Sequence, residues 1–210
     1  MCYWIATEIC TQPELKNRVK AVENWIKVAR VCFKLRNYSS SMAIVSGLNV
    51  VAVSRLKHTW EQVDPKRMKQ LNEIEHFLSP VSNHRQYRVA IDQILESGQY
   101  NIPVIPILSV FLKDLIFMND GNSKYLPNTD KMINFEKLKT IYASVMRMVK
   151  LQRSSYDNLL PDVPTETLEY CSRMHALKED ALYKYSCLCE AKNGDGDTLR
   201  LRDKWMQQSK

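Results

Sequence analysis

Apolar residues recur at helical spacing along most of this chain. From Leu15 to Leu35 they return at alternating steps of three and four, which indicates a helix with one buried stripe. The stripe consists of Val19, Val22, Ile26, Ala29 and Phe33. Similar stripes follow Asp64-Pro65, run through residues 83–96 and follow Asn134. Aspartate and asparagine suit a helix N-cap and proline suits the first turn, so the pattern predicts a largely helical protein.

The run from Ile107 to Met118 departs from this pattern because it is apolar on more than one face. It is interrupted by Ser109, Lys113 and Asp114. A helix of this kind is buried on all sides, or it packs one face inward and offers the other to a partner. The run is too short to span a bilayer, and it contains charged residues. We expect a helix with Pro103 and Pro106 in its first turn.

A second helix is predicted to pack against this one. The turn-forming cluster 119–122 should end the first helix, and Asn134 should cap the second. The apolar positions of the second helix are Phe135, Leu138, Ile141, Tyr142, Val145, Met148 and Val149. Together the two helices predict an antiparallel hairpin over about residues 104–149, with Asp120 at the tip of an apolar ridge.

Outside the hairpin, shorter helices and connecting segments are expected. The stretch 37–40 should break the chain before a short helix that ends near Gly47, and residues 50–60 should connect to the next helix. Thr165 is predicted to cap a helix, and residues 192–197 to form a mobile loop. Only 5 of the 210 residues are glycine, whereas glycine usually makes up about 7 % of a protein. We therefore predict an all-α, irregular multi-helix domain over residues 1–210, from which the hairpin protrudes.

Composition adds a basic surface and little reactive chemistry. The chain has 30 Lys and Arg against 23 Asp and Glu, and its net charge of +7 favours acidic partners. These basic residues are scattered, which is typical of a solvated helical surface rather than a nucleic-acid-binding face. The six cysteines and four histidines show no zinc spacing and no catalytic triad. We expect free thiols, no metal, no cofactor and no transmembrane segment.

Several separated motifs resemble those of one family. They are Arg18-Val19, residues 35–60, Tyr87-Arg88, residues 105–122 and residues 133–137. In this order and spacing, over about residues 4–150, they are similar to the Cdc25-homology (RasGEF) catalytic domain of guanine-nucleotide exchange factors for Ras-type GTPases. Residues 6–10, 53–57 and 179–183 most resemble the RasGEF domain-containing family 1 subgroup. The family domain has further helices before Trp4, so we expect its N-terminal part to be missing from this chain.

The resemblance implies a mechanism without bond chemistry. In this family the hairpin enters beside switch 1 of the GTPase and pushes it away from the nucleotide. By motif position, Ile116 is implied to approach the magnesium site of the GTPase, and Asp120 to face its phosphate-binding loop. Asp120 is one methylene shorter than the glutamate common at this position.

Further contacts and a partner are implied in the same way. Ile107, Lys113 and Phe117 match positions that touch the switch regions, and Arg36 and Asn37 match a contact to switch 2. The implied partner is a Ras-family small GTPase, and the subgroup favours a Rap-type one. A cytoplasmic protein, recruited to the membrane surface by its GTPase without direct membrane insertion, is expected.

Two alternatives to an exchange factor stay open. One is a GTPase-binding module without exchange activity, since truncation or the shorter carboxylate of Asp120 could separate binding from release. The other is a basic helical nucleic-acid-binding protein, which would require a concentrated basic face and a steep salt dependence of binding. The scattered charges argue against nucleic acid as a partner.

Overall fold

The computed structural model of the chain describes residues 1–98, 103–128, 131–157, 163–173, 175–191, 200–202, 204–205 and 207. Across these residues it is built from α-helices and contains no β-strand, which confirms the prediction of an all-α fold. In the same residues, no helix has both the length and the apolar character needed to cross a membrane. The predicted loop at 192–197 lies outside the described residues.

The helices fall into two compact units. The first comprises Met1–Lys34, Ser40–Ser79 and the described part of Asp162–Lys210. Its helices are α1 (Cys2–Cys10), α2 (Leu15–Lys34), most of α3 (Tyr38–Leu48), α4 (Val51–Ser54), α5 (Lys57–Glu61), α6 (Pro65–Leu78), α10 (Thr165–Ser172) and α11 (Glu179–Cys189). The second unit comprises Leu35–Ser39 and the described part of Pro80–Pro161. Its helices are α7 (Arg85–Glu96), α8 (Leu108–Asp120) and α9 (Phe135–Leu151). The single domain over residues 1–210 stays a prediction.

Part of the core of the first unit forms where the predicted stripe of α2 packs on α6. The fully buried positions of the stripe are Val22, Ile26 and Ala29, and the buried side chains of α6 are Leu71, Ile74 and Leu78. Phe33 and Phe77 extend this contact edge to face, with ring centroids 4.9 Å apart. Helix α6 begins at Pro65, and the carboxylate of Asp64 accepts a hydrogen bond from the Lys66 backbone N–H at 2.6 Å. The predicted start of this helix is thereby confirmed.

A buried charge, Arg18, organises the polar contacts of the first unit. Its Nε donates to the Thr59 hydroxyl at 2.9 Å, and its Nη1 donates to the carbonyls of Gln12 and Pro13. Its Nη2 lies 3.9 Å from the Glu190 carboxylate, which also accepts from the Thr59 backbone N–H at 2.9 Å. Because Glu190 follows directly on α11, this network ties the end of α11 to α2 and α5.

The structure corrects several predicted boundaries in this unit. Residues 50–60, predicted to be a connecting segment, contain α4 and most of α5. Residues 38–40, predicted to lie in a break, form the first turn of α3. Thr165, predicted to be the N-cap of a helix, is instead the first residue of α10, and the N-cap of α10 is Pro164. Gly47 allows a close approach of α1, because a Cβ there would lie 2.9 Å from a backbone oxygen of that helix.

The second unit packs α7, α8 and α9 around a small core. Its buried apolar side chains are Tyr38, Tyr87, Ile91, Val104, Ile107, Val110 and Leu151. Helix α7 begins at Arg85 rather than at the predicted residue 83, because residues 82–84 all have left-handed backbone angles. The ammonium of Lys137, in the first turn of α9, donates to the carbonyl of Asn119 in the last turn of α8. Helices α8 and α9 therefore run in opposite directions.

Candidate functional site

Helix α8 starts later than its prolines suggest. Its N-cap is Ile107, so Pro103 and Pro106 precede the helix instead of forming its first turn. The prediction for these prolines was wrong because a residue before proline prefers an extended backbone, and Ile105 has one. Ile105 forms an isolated parallel bridge with Asn37. This bridge fixes the entry of the chain into α8.

Ile107 anchors the base of α8 and is buried. Its backbone N–H donates to the hydroxyl of Tyr87 at 2.9 Å, and its side chain is only 3 % exposed. Tyr87 in turn meets Tyr38 edge to face, with ring centroids 5.7 Å apart. Burial is the main cause that raises the pKa of Tyr87, so this hydroxyl stays protonated at neutral pH. The Ile107 side chain is thus placed in the core and is not offered to a partner.

One row of α8 side chains is exposed along the whole helix. We call Leu108, Leu112, Ile116 and Asp120 the α8 row. These residues follow one another at steps of four and therefore lie on the same helix face. The three apolar members are between 47 % and 58 % exposed, and the row ends at the exposed carboxylate of Asp120. The carboxylate of Asp120 therefore lies one helical turn beyond Ile116, on the same face.

A second exposed pair lies beside this row. Phe117 is 63 % exposed, and the ammonium of Lys113 lies 5.5 Å from the centroid of its ring. This distance is within the range of a cation–π contact, which at an exposed site stabilises by about 0.5–1 kcal/mol. The contact holds the aromatic face beside the α8 row and keeps a positive charge next to it.

The tip that follows α8 is held by hydrogen bonds from α9. The Lys137 ammonium donates to the carbonyls of Asn119 and Asn122 at 2.7 and 2.9 Å. Asn134 caps α9 as predicted, because its side chain accepts from the Lys137 backbone N–H. A cation at the C-terminus of α8 also satisfies carbonyls that have no partner inside the helix. Asp120 accepts from the side chain of Asn119 at 3.0 Å.

Arg36 and Asn37 lie beside the segment that leads into α8. The backbone carbonyl of Arg36 accepts from the N–H of Ile105 at 3.1 Å, and the carbonyl of Ile105 accepts from the N–H of Ser39 at 3.2 Å. Arg36 has a left-handed backbone with φ 58°, which is uncommon for a residue with a side chain. Its Nη1 is buried without a hydrogen-bond partner. A buried guanidinium N–H without a partner is costly, and its burial keeps this atom away from an incoming molecule.

Helix α9 packs against α8 as predicted, but part of its apolar stripe is exposed and enlarges the apolar surface. Phe135, Leu138, Tyr142 and Val145 are all exposed, whereas Ile141, Met148 and Val149 are partly buried. The periodicity of α9 shows which residues share a face but not whether that face is covered. Exposed apolar area of this extent is typical of an interaction surface.

The chemistry of this site is that of recognition. Among the described residues, no three His, Cys, Asp or Glu side chains are placed to hold a metal ion. The second unit contains the whole set of sequence-predicted site residues, which are Ile116, Asp120, Lys113, Phe117, Arg36, Asn37 and the buried Ile107. An all-α frame that presents an apolar helix ending in a carboxylate has the composition of a protein-binding surface.

Comparison with known proteins identifies the family. The sequence pattern of the RasGEF domain matches residues 1–139, so the chain belongs to the RasGEF domain family. This assignment confirms the resemblance drawn from the separated motifs. It also places α8 and the start of α9 inside the matched domain.

Relatives from two named groups match most of the chain. A "Rap guanine nucleotide exchange factor" of Caenorhabditis elegans is 41 % identical over 155 residues, 74 % of this chain and 10 % of that protein. "Rap guanine nucleotide exchange factor 5" of Homo sapiens is 35 % identical over 184 residues, 87 % of this chain and 30 % of that protein. "Ras-GEF domain-containing family member 1C" of Macaca fascicularis is 34 % identical over 215 residues, 100 % of this chain and 44 % of that protein. The chain thus spans between a tenth and under half of the length of these relatives.

Proposed function

We propose that this chain promotes the release of GDP from a Ras-type small GTPase through helices α8 and α9. The observation that carries the proposal is the exposed α8 row, in a chain that belongs to the RasGEF domain family. The printed names of its relatives describe guanine-nucleotide exchange factors. An exchange factor forms or breaks no covalent bond, so this function requires a surface that binds the GTPase.

Binding thermodynamics define what such a surface must do. A nucleotide held with a dissociation constant between nanomolar and picomolar is bound by roughly 12–16 kcal/mol, so unaided release is slow. A protein accelerates release only by binding the nucleotide-free state better than the nucleotide-bound state. The coupling is reciprocal, and nucleotide must therefore weaken binding of this chain by the same factor.

Within this proposal the α8 row supplies the differential contact. Ile116 would bring an apolar side chain to the magnesium site of the GTPase, where it makes ion coordination unfavourable. Asp120, one turn further, would face the phosphate-binding loop, where a carboxylate replaces part of the lost phosphate charge. Their spacing along one exposed face supports these roles, since a single insertion would deliver both groups.

The surrounding residues would bind the switch regions of the GTPase. Phe117 and Lys113 offer a contact that is both apolar and cationic beside the row. Arg36 and Asn37, which are both partly exposed, would contact switch 2. Ile107 is left out of this proposed interface because its side chain is buried. Its role is to fix the base of α8.

The names of the relatives favour one type of GTPase as the partner of this chain. Relatives called Rap guanine nucleotide exchange factors match 74 % and 87 % of this chain. We propose a Rap-type GTPase as the substrate, with recruitment to a membrane surface through that GTPase. The named family 1 relative, which matches 100 % of the chain, has Ras rather than Rap in its name.

GTPase binding without exchange is the second candidate function. It is favoured by Asp120, which is shorter than a glutamate and already accepts a hydrogen bond from Asn119. If the Asp120 carboxylate stays hydrogen-bonded to Asn119, it does not replace the negative charge that the phosphate-binding loop loses when the nucleotide leaves. The α8 row would then bind a GTPase without lowering its affinity for nucleotide.

Release of a fluorescent guanine nucleotide from a panel of Rap and Ras GTPases tests the proposal. Excess unlabelled GDP is added, and the fluorescence decay is followed with increasing concentrations of the chain. We expect the decay rate to rise with concentration, most steeply for a Rap-type member. A folded chain that binds a GTPase and leaves every decay unchanged would support the second candidate and refute the first.

A further inference from the structure

Helix α7 is joined to both α8 and α9 by ion pairs that the exchange mechanism above does not use. The Nη1 and Nη2 atoms of Arg88 on α7 bind the two carboxylate oxygens of Asp114 on α8 at 2.6 and 2.8 Å. Asp92, one turn further along α7, pairs with Arg147 on α9. One pair of opposite charges thus attaches α7 to α8, and another attaches α7 to α9.

The two pairs differ in strength. The Arg88 and Asp114 side chains are 30 % and 22 % exposed, and their contact is bidentate, which fixes direction as well as distance. Arg88 also donates from Nε to the carbonyl of Asn83 at 2.7 Å, so its guanidinium is already oriented. The Arg147 and Asp92 side chains are about half exposed, and solvent screens such a pair. The Arg88–Asp114 pair is therefore the stronger attachment.

Apolar packing between these three helices is incomplete at the same place. A pocket of about 120 Å³ that is partly open to solvent lies between α7, α8 and α9, and both ion pairs line it. Its apolar walls include Ile91, Phe111 and Met148. Side chains facing a cavity lose dispersion contacts and resist displacement less than a filled core does. The relative orientation of α7, α8 and α9 therefore depends on the ion pairs more than it would in a filled interface.

The attachment lies on the side of α8 away from the exposed row. Ile116 follows Asp114 by two residues, a rotation of about 200° around the helix. Asp120 follows Asp114 by six residues, or about 9 Å along the axis. A tilt of about 6° at Asp114 would displace Asp120 by about 1 Å, and displacements of that size can cost orders of magnitude in rate.

We propose that Asp114 and Asp92, through Arg88 and Arg147, are positioning residues that hold α8 and α9 at the angle needed for nucleotide release. This inference rests on the proposed function. Neither carboxylate touches the GTPase. Each acts by fixing the helix that carries or supports the α8 row, and the effect of Asp114 is the larger of the two.

Isosteric neutralisation tests the inference. Asp114→Asn, Asp92→Asn and the double variant are compared with the parent by amide hydrogen exchange and by nucleotide release. We expect amides of α8 and α9 to exchange at least five-fold faster in the double variant, and nucleotide release to slow by at least five-fold. Asp114→Glu keeps the charge and should retain most of the release activity. Glu73→Gln, which neutralises the partner of Arg30 in the first unit, is the matched control and should change neither quantity.

The outcomes separate this inference from the function on which it rests. Unchanged amide exchange in α8 and α9 of the double variant would overturn the positioning role. Faster amide exchange with unchanged nucleotide release would overturn the link to activity. A parent chain that releases no nucleotide from any GTPase would refute the proposed function, while amide exchange would still decide whether the ion pairs hold the two helices.

Discussion

Replacing Ile116 by alanine tests whether the α8 row makes the contact that weakens nucleotide binding. The Ile116 side chain is 58 % exposed, so more than half of its surface is available for burial by a partner. Full burial of an isoleucine contributes about 1.5–3 kcal/mol, so the exposed part corresponds to about 1–2 kcal/mol. Because 1.4 kcal/mol is tenfold in rate, we expect kcat/KM for nucleotide release to fall roughly five- to thirty-fold.

The same substitution should leave folding almost unchanged. Ile116 points to solvent, and alanine has a slightly higher helix propensity than isoleucine, so the free energy of unfolding should change by less than about 1 kcal/mol. Val31→Ala on α2 is a suitable control, because Val31 is 55 % exposed and lies in the first unit. That variant should release nucleotide at the parental rate.

Fluorescent-GDP release, measured over a range of chain concentrations, gives kcat/KM for the parent and both variants. Thermal unfolding followed by circular dichroism establishes that each sample is folded. If Ile116→Ala matched the parent, or if Val31→Ala lost as much activity, the reasoning from exposure and face to function would be wrong.

Three further predictions concern the hairpin tip and the first unit. Asp120→Ala should slow nucleotide release several-fold whereas Asp120→Glu should not, and equal rates for both variants would exclude a role for the charge. Glu190→Ala should lower the free energy of unfolding by about 2–3 kcal/mol in urea titration, because the buried guanidinium it faces keeps other acceptors but loses its counter-charge. Burial raises the pKa of Cys10 to about 12 and that of Cys189 to about 11, so both thiols stay protonated up to pH values well above neutral. Iodoacetamide at pH 8 should therefore modify the exposed Cys171 first in mass spectrometry, and equal rates would contradict the burial of the other two.

Local signals in the sequence were enough to predict the longer helices. The stripe of α2 and the caps Asp64 and Asn134 depend on residues within a few positions of one another. The short helices α4 and α5 were missed because four or five residues do not establish a periodicity. Their helical form is stabilised by packing within the first unit, to which residues distant in sequence contribute.

The exposure of individual side chains could not be predicted from the sequence pattern. Ile107 and Ile116 belong to the same apolar run, yet one is 3 % and the other 58 % exposed. Ile107 lies at the base of α8, where its backbone N–H binds the hydroxyl of Tyr87, a residue 20 positions earlier in the chain. Likewise, Tyr142 and Phe135 belong to the apolar stripe predicted to pack α9 against α8, and both are exposed. Periodicity identifies a face, and long-range packing decides whether that face is covered.

The ion pairs of α7 were also missed, although a signal for one of them is present. Asp114 interrupts an apolar run four residues after the buried Val110, so its carboxylate lies on an inward-facing position. A charge at such a position requires a partner. The sequence contains several arginines that could serve, and only the fold shows that Arg88 does.

Binding of this chain to a Rap-type GTPase, with and without nucleotide, tests the proposed function most directly. Calorimetric titration of the nucleotide-free GTPase is compared with titration of the GDP- and Mg²⁺-bound form. Reciprocal coupling predicts a tight complex with the nucleotide-free protein that GDP dissociates, and binding at least a hundred-fold weaker to the loaded form. Equal affinity for the two forms would contradict an exchange function, because a ligand that does not distinguish the two states cannot shift the equilibrium between them.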